Sequence, residues 1–241
     1  MFTQRLITRA LTGVLCAACL GGAAFAQDAY PSRTVKFVNN FPPGGPSDII
    51  ARSLAHELQQ SLKQSFIVEN KPGASGNIGA DQVAKSAPDG YTVLIGIDTA
   101  FTVNPHIYKG LPFKPADFKP VMVMASSGLL VGANPGTGFK TLADLIAAGK
   151  SRDVTFSSAG SGSPGHLAVE LFKEATGMKI TQVPYKGNSP AVNAVLAAEV
   201  DGGVLATPGM LPHVKAGKIG ALAVTSRPRS RLAPAGPAVA E

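Results

Sequence analysis

The segment Pro42–Asp48, with the sequence P-P-G-G-P-S-D, has the residue types for binding an anion through backbone N–H groups. Proline lacks an N–H donor and glycine adopts angles closed to other residues, so the segment ends a strand and leads into a helix. Ser47 or Asp48 is suited to cap that helix. The first N–H groups of a helix carry partial positive charge, so a carboxylate or phosphate can bind there. A tight turn without a ligand explains the same residues, and both interpretations stay open at this point.

The signatures of common enzymes and metal sites are incomplete in this chain. The run Gly160–Gly165 fits G-x-G-x-x-G, but it contains Pro164, and the next strand ends at Val183–Lys186 without the acidic residue that holds a dinucleotide's ribose. Neither G-x-S-x-G nor H-E-x-x-H is present. A capping or packing role explains His166 more simply than ligand contact. The sequence therefore favours a binding protein over an enzyme, with no catalytic residue, no metal and no cofactor.

Short apolar runs alternate with amphipathic segments, which predicts an α/β fold with mainly parallel strands. In such folds, ligands lie beyond the carboxyl ends of the strands, where loops lead into helices. The predicted strands are Val35–Val38, Phe66–Glu69, Tyr91–Ile97, Val121–Ala125, Leu129–Gly132, Val154–Ser157, Ile180–Val183, Gly202–Leu205 and Ala221–Val224. The predicted helices are Asp48–Leu62, Asn77–Lys85, Thr141–Ala148, Gly165–Thr176, Pro190–Ala198 and Met210–Ala216.

Four predicted loops lie at the ends of strands, and loops of this kind on two lobes can face each other across a cleft. Lys186 is the one lysine or arginine in them. The glycine-rich segment Asn70–Gly79 also leads into a helix, and it is either a further wall of the site or a plain turn. The four loops are Pro42–Asp48, Asp98–Thr102, Ser157–His166 and Pro184–Pro190.

The N-terminal residues have the features of a secretory signal peptide. Arg5 and Arg9 precede an apolar run that is short for a membrane span, and the A-x-A sequence at 24–26 predicts cleavage before Gln27. An uncleaved membrane anchor is the alternative. Cleavage would remove both cysteines, so the mature chain would have no disulfide and no thiol ligand, which fits export to the bacterial periplasm.

Charge and composition bear on the partners. The formal net charge is +7, and loss of Arg5 and Arg9 with the leader leaves +5. The basic residues form no stripe interleaved with aromatic residues, which argues against nucleic acid, and a mild positive field favours anionic small molecules. The residues after Val224 are rich in proline and stop at Glu241. Such a segment usually connects two elements, so the chain is predicted to be a fragment of a longer one.

Six ordered motifs resemble the Bug family, the periplasmic solute-binding proteins of tripartite tricarboxylate transporters. The resemblance runs from about Tyr30 to Glu241. The motifs are F-P-P-G-G-P-S-D-I-I-A-R (41–52), E-N-K-P-G-A-S-G-N-I-G (69–79), A-P-D-G-Y-T-V-L (87–94), N-P-H-I-Y-K-G-L-P-F (104–113), P-Y-K-G-N-S-P-A (184–191) and L-P-H-V-K-A-G-K-I-G-A-L-A-V-T-S (211–226).

The resemblance implies a two-lobed Venus-flytrap fold with mainly parallel sheets and a small carboxylate bound in the cleft. The expected division is a signal peptide at 1–26, a first lobe at 27–120, a second lobe at 121–207, and a truncated segment at 208–241 that returns to the first lobe. Family chains continue further, so the first lobe is expected to be incomplete. The implied ligand-binding residues are Pro43, Gly44, Gly45, Ser47, Asp48, Thr99, Phe101, Ser158, Gly160, Ser161, His166, Tyr185, Lys186 and Gly187.

The implied function is capture of a carboxylate in the periplasm by a monomer that delivers it to the membrane permease subunits of the transporter. A ligand sensor for a signalling receptor is one alternative. A cleft hydrolase or transferase, marked by an essential Ser163 or His166, is another. Family members often carry an aspartate and a bulky aromatic residue near Val204 and Leu205, which are aliphatic here, so any selectivity tied to those side chains does not transfer.

Overall fold

The computed structural model of the protein describes residues 30–226 and 237–239. The predicted signal peptide and most of the proline-rich C-terminal residues lie outside the described residues. The chain divides into two units, Met1–Ser32 and Arg33–Glu241. In the first unit only Tyr30–Ser32 are described, and the Tyr30–Pro31 peptide bond is cis. None of the helices in residues 30–226 and 237–239 combines the length and the apolar character of a membrane span.

The first sheet has three parallel strands, and its elements are β1 (Val35–Asn39), α1 (Pro46–Leu62), β2 (Phe66–Asn70), α2 (Asn77–Ala84) and β3 (Thr92–Ile95). The strand order is β2-β1-β3, with Phe37 of the central strand paired to Val68 and Val93. Helix α1 covers this sheet through Ala51 and Ala55, which are buried in the same apolar core as Phe37. We call residues 33–118 the first lobe.

Two short helices follow β3, namely α3 (Thr99–Thr102) and α4 (Asn104–Ile107). The sequence predicts a loop at Asp98–Thr102, but four of these five residues, Thr99–Thr102, are helical. Phe101 of α3 packs edge-on against Phe113 and Phe118, with ring centroids 6.2 and 5.0 Å away. This aromatic cluster fixes the end of the first lobe.

Residues 119–128 connect the first sheet to the second, and they contain no regular secondary structure. The predicted strand Val121–Ala125 is wrong. Val121 and Val123 are 83% and 85% exposed, whereas Met124 packs against the core of the first lobe. The residues have the β-branched composition of a strand, but no described strand pairs with them, and β-propensity without a partner does not form a sheet.

The second sheet has five strands, and residues 129–226 that build it are called the second lobe. Its strand order is β6-β5-β7-β4-β8, in which β5 runs parallel to β6 and β7 while β4 runs antiparallel to β7 and β8. The elements are β4 (Leu129–Ala133), α5 (Leu142–Ser151), β5 (Val154–Ser158), α6 (Pro164–Thr176), β6 (Ile180–Pro184), α7 (Asn188–Leu196), β7 (Gly202–Ala206), α8 (Thr207–Lys215) and β8 (Gly220–Val224).

Apolar cores cover both faces of the second sheet, whose strands β4, β7 and β8 carry only apolar residues and glycine. Leu130 and Leu205 pack with α7 and α8 on one face. Phe156 and Val204 pack with α5 and α6 on the other face. The predicted α/β class with mainly parallel strands is confirmed, and the six predicted helices and the other eight predicted strands match observed elements to within three residues at each end.

Residues 208–224 do not follow the predicted path. The family resemblance implies that they return to the first lobe, but α8 and β8 pack on the second sheet. The physical reason is the apolar run of β8, whose Leu222 and Val224 are buried on opposite faces of that sheet. The short described piece at 237–239 also lies beside β8, since the Val239 N–H donates to the Val224 carbonyl at 2.9 Å.

Candidate ligand-binding cleft

A cleft of about 210 Å³ lies between loops of the two lobes. It is found beyond the carboxyl ends of β1, β5 and β6, where the topology of a parallel sheet places a binding site. Among the described residues that line it, Lys186 is the one with a charge. The lining residues are Phe41, Gly73, Ala74, Ser75, Gly76 and Tyr108 of the first lobe, and Ala159, Gly160, Ser161, Pro184, Tyr185 and Lys186 of the second lobe.

The loop after β1 is closed by the carboxylate of Asp48, which is 3% exposed. Its Oδ2 accepts the Gly44 N–H at 2.9 Å and the Arg52 Nε–H at 3.0 Å, and its Oδ1 accepts from Asn70 Nδ2 at 2.8 Å. Burial by itself raises the pKa of Asp48, but the hydrogen bonds from Arg52, Gly44 and Asn70 outweigh it and hold the pKa below its ordinary value. The carboxylate is therefore ionised and fully engaged inside the loop.

Helix α1 begins at Pro46 with Gly45 as its N-cap, so the prediction that Ser47 or Asp48 caps the helix is wrong. Asp48 instead occupies the third helical position and reaches back to the residue before the cap. Helix geometry leaves the N–H groups of Ser47 and Asp48 without acceptors within the helix. The Gly44 N–H, however, is consumed by Asp48 and cannot hold an anion at the same time.

The predicted residues of this loop lie beside the cleft rather than in its lining. Gly44 borders a second hollow of about 110 Å³, together with Asn188, Ser189 and His213 of the second lobe. Pro43 is exposed, and its carbonyl accepts a hydrogen bond from Ser189 Oγ at 3.2 Å.

A turn at Gly73–Gly76 forms the first-lobe wall of the cleft, which is one of the two interpretations that the sequence allows for Asn70–Gly79. Ala74, Ser75 and Gly76 all have left-handed backbone angles, with φ of 46°, 53° and 91°. Asn104 Nδ2 donates to the Ser75 carbonyl at 3.1 Å, and Asn40 Nδ2 donates to the Gly76 carbonyl at 3.2 Å. The two amides therefore hold an unfavourable backbone in place, which is common at functional sites.

The Gly–Ser loop after β5 is closed by neutral groups. The His166 Nδ1 accepts the Gly162 N–H at 2.9 Å, and Ser163 caps α6 by accepting the His166 N–H at 3.3 Å. Ser158 is fully buried, and its hydroxyl is engaged by Gln182 and by Gly160. His166 and Ser158 thus stabilise the loop, while Gly160 and Ser161 line the cleft.

The end of β6 supplies the remaining second-lobe residues. Lys186 is exposed at the edge of the cleft. The Tyr185 hydroxyl donates to Glu199 at 3.2 Å, and burial together with that carboxylate raises the pKa of Tyr185. Gly187 has φ of 124° and lies against the ring of Pro42, where an added Cβ would come within 2.5 Å of the Pro42 Cδ. Only a glycine permits this approach of the two lobes.

Thr99 and Phe101 do not line the cleft. Thr99 is buried at the start of α3, and Phe101 belongs to the aromatic cluster of the first lobe. Sequence reasoning also missed Ser75 and Tyr108, whose hydroxyl oxygens lie 2.9 Å apart in the cleft wall. The signal for Ser75 was its position between Gly73 and Gly76. No group of three His, Cys, Asp or Glu side chains in residues 30–226 and 237–239 is arranged to hold a metal ion.

The chain has relatives among known proteins. A family model described as the tripartite tricarboxylate transporter family receptor matches residues 50–241. Protein BugT of Bordetella pertussis is 39% identical over 236 residues, which cover 96% of this chain and 72% of BugT. A second protein of the same organism, of the UPF0065 group, is 35% identical over 204 residues, which cover 84% of this chain and 63% of that protein. The chain thus spans 72% of the first relative and 63% of the second.

Solved structures agree with the sequence comparison. A protein of R. palustris solved with adipate is 37% identical with a TM-score of 0.84, and MatC from Rhodopseudomonas palustris, solved with bound malate, is 29% identical with a TM-score of 0.81. The periplasmic binding protein BugD is 34% identical with a TM-score of 0.75. The match covers 88% of this chain and 72% of the adipate-bound protein. It covers 88% of this chain and 73% of MatC, and 87% of this chain and 71% of BugD.

The resemblance to the Bug family and the two-lobed binding-protein fold are therefore confirmed, and so is the prediction of a binding protein instead of an enzyme. One assignment follows from the cleft between two lobes, the family match over residues 50–241 and the agreement with solved binding proteins. The chain belongs to the tripartite tricarboxylate transporter receptor family, and it has the fold of the periplasmic solute-binding proteins.

Proposed function

We propose that this protein captures a small organic carboxylate in the cleft between its lobes and delivers it to the membrane permease subunits of a tripartite transporter. The observation that carries the proposal is the character of the lining. The Ser161 hydroxyl and the Lys186 ammonium group are hydrogen-bond donors in that lining, and no carboxylate is among the described lining residues. Such a lining attracts a carboxylate and offers nothing that repels it.

The size and charge of the cleft narrow the ligand class. A volume of about 210 Å³ suits a molecule smaller than a typical drug. Asp48, the acidic group of the neighbouring loop, is paired with Arg52 and does not oppose an anion. That related proteins were solved with adipate and malate supports a small dicarboxylate or hydroxy acid as cargo.

The ligand-binding residues implied by the family resemblance form part of the proposal. Gly160, Ser161, Tyr185 and Lys186 contact the ligand directly from the second lobe. Ser158, His166 and Gly187 shape the loops that carry those contacts. The first-lobe set Pro43, Gly44, Gly45, Ser47 and Asp48 supplies the helix N-terminus beside the cleft, and Thr99 and Phe101 support the wall behind it.

Export, location and assembly complete the proposal. The chain is exported to the periplasm with cleavage before Gln27, and it acts there as a monomer. N-terminal sequencing of the protein from periplasmic extracts is expected to begin at Gln27, and light scattering is expected to give the mass of one chain. A first residue of Met1, or a dimer mass, would contradict these two points.

Thermal melting against a panel of small carboxylates tests the function. A ligand at about 100 times its dissociation constant adds roughly 2.7 kcal/mol to the free energy of unfolding, which raises the midpoint by roughly 5 to 10 °C for a chain of this size. The matched controls are the corresponding uncharged amides. Lys186→Gln is expected to weaken binding about tenfold, whereas Lys150→Gln, on the far helix α5, leaves it unchanged. Equal shifts for acids and amides would exclude carboxylate recognition.

A further inference from the structure

Two serine hydroxyls join the lobes, one in the cleft and one beside it. Ser75 of the first lobe donates to the Ser161 carbonyl of the second lobe at 2.5 Å. Ser189 of the second lobe donates to the Pro43 carbonyl of the first lobe at 3.2 Å. Each lobe therefore gives one hydroxyl to the backbone of the other. We call these two hydrogen bonds the serine contacts.

The Ser75 hydroxyl is fixed in direction before it meets the second lobe. Ser75 has φ of 53° and ψ of 37°, and its carbonyl is held by Asn104, which also bonds Asn77. Its hydroxyl lies 2.9 Å from that of Tyr108. Because Ser75 donates to Ser161, Tyr108 must donate to Ser75, and a chain of hydrogen bonds runs from the first lobe into the second.

The surfaces around the serine contacts are shaped for close approach. Gly187 lies against the ring of Pro42, so a side chain there would hold the lobes apart, and Gly162 lies against the flexible end of the Ile107 side chain. These glycines are on second-lobe loops and face first-lobe residues. Both serine contacts therefore form in a region where the two backbones come within hydrogen-bonding reach.

The contact between the lobes is uncharged among the described residues. Each ion pair found in residues 30–226 joins two residues of the same lobe, as in Asp48–Arg52 and Asp201–Arg152. The serine contacts and the apolar approaches thus hold the closed arrangement without help from opposite charges. Closure held in this way is expected to be insensitive to salt.

We propose that Ser75 and Ser189 are positioning residues that hold the lobes closed and set how long a bound ligand stays. The ligand can leave only after the loops that carry Ser161 and Pro43 separate, so both serine contacts must break first. Loss of a hydroxyl then speeds dissociation and leaves association nearly unchanged. The part of this proposal that concerns ligand residence rests on the proposed function, whereas closure of the empty protein does not.

The first test uses small-angle scattering of the full exported chain without ligand. The double variant Ser75→Ala with Ser189→Ala is expected to have a larger radius of gyration than the unchanged protein. Ser86→Ala is the matched control, because the Ser86 hydroxyl bonds the Gln82 carbonyl within the first lobe. A double variant with the same radius as the control would overturn the proposal, whatever the protein binds.

The second test measures dissociation of adipate and of malate. Each single variant is expected to speed dissociation about fivefold, and Ser189→Thr, which keeps the hydroxyl, is expected to restore the original rate. Ser75→Gly removes the same hydroxyl while favouring the left-handed turn, so it must behave as Ser75→Ala does if the hydroxyl and not the backbone matters. Unchanged dissociation rates in both Ser75 variants would refute the role in residence.

The two tests separate this proposal from the proposed function. If neither adipate nor malate nor any other carboxylate of the panel shifts the melting midpoint, the proposed function fails, and the scattering measurement still decides whether the serine contacts close the empty protein. If a carboxylate binds but the variants release it at the original rate, the proposed function stands and the serine contacts have no part in it.

Discussion

The loop after β1 and the loop after β5 have the same backbone construction. Each contains a left-handed glycine, Gly44 with φ of 76° and Gly162 with φ of 79°. Each then passes through an extended N-cap residue into a helix whose first residue is a proline, Pro46 or Pro164. The two loops come from different lobes and different sheets, so the likeness lies in the local geometry of a strand-to-helix turn.

The loops differ in the side chain that closes them. The third helical residue reaches back to the left-handed glycine in both cases, and the acceptor is the Asp48 carboxylate for Gly44 and the His166 ring for Gly162, at 2.9 Å each. Asp48 is also bonded to Arg52 and Asn70. The same turn geometry is thus closed by a buried ionic cluster around Asp48 in the first lobe and by the single acceptor of His166 in the second lobe.

The largest effect is expected from removing the charged closure. Asp48→Ala removes the acceptor that Gly44, Asn70 and Arg52 share, and we expect it to lower the free energy of unfolding by about 3 kcal/mol. Urea denaturation measures this. Asp81→Ala removes an exposed i,i+4 pair with Lys85 and serves as the control, with an expected cost below about 0.5 kcal/mol. Equal costs for the two variants would show that the cluster at Asp48 contributes nothing special.

The second helical residue gives the next largest difference between the loops. It is Ser47 in the first loop and Gly165 in the second, where a Cβ would collide with the Val204 carbonyl of the adjacent strand. Gly165→Ala is expected to cost about 2 kcal/mol, because backbone must move to admit the methyl group. Ser47→Ala is expected to stay within about 0.5 kcal/mol. A tolerated Gly165→Ala would mean that α6 can shift away from β7 freely.

A smaller effect is expected from removing the neutral closure. His166→Ala leaves one N–H of Gly162 without an acceptor, which we expect to cost about 1 kcal/mol. His106→Ala, at an exposed position of α4, is the control and is expected to change little. The measurement is again urea denaturation. A cost as large as that of Asp48→Ala would break the distinction between an ionic and a neutral closure.

The smallest change in the free energy of unfolding is expected from acidification. Asp48 has a pKa below its unfolded value, so its ionisation stabilises the fold above about pH 4 and this contribution is lost as the pH falls through the lowered folded pKa. Asp48→Asn should therefore lose less stability than the unchanged protein on acidification through that range, as followed by denaturation at a series of pH values. Parallel curves for the two proteins would contradict a lowered pKa at Asp48.

Much of the fold could be predicted because its signals are local. Apolar runs such as Val154–Ser157 and proline-led helix starts such as Pro164 mark strand and helix without reference to the rest of the chain. The strand expected at Val121–Ala125 failed for the opposite reason. A strand exists only with a partner, and the sequence of one segment does not say whether a partner lies beside it.

The site was predicted less completely, because which atoms a loop presents depends on contacts distant in sequence. The sequence predicts that Asp48 caps a helix or binds ligand. In the structure its carboxylate closes the loop, where it bonds Gly44 and also Asn70, which is 22 residues away. Phe101 was expected to line the pocket, but its ring packs against Phe118 in the aromatic cluster. Ser75 was passed over because its left-handed turn depends on Asn40 and Asn104, which no local pattern connects to it.

The extended segment between the lobes has a consequence for the lifetime of the protein. Val121, Met122 and Val123 are at least 70% exposed, and regular hydrogen bonds do not protect this stretch of backbone in the described structure. A protease needs an extended, accessible chain of this kind to fit its active site. Residues 119–128 are thus expected to be the first place that a protease cuts, and turnover of the protein would begin at this segment and not in either lobe.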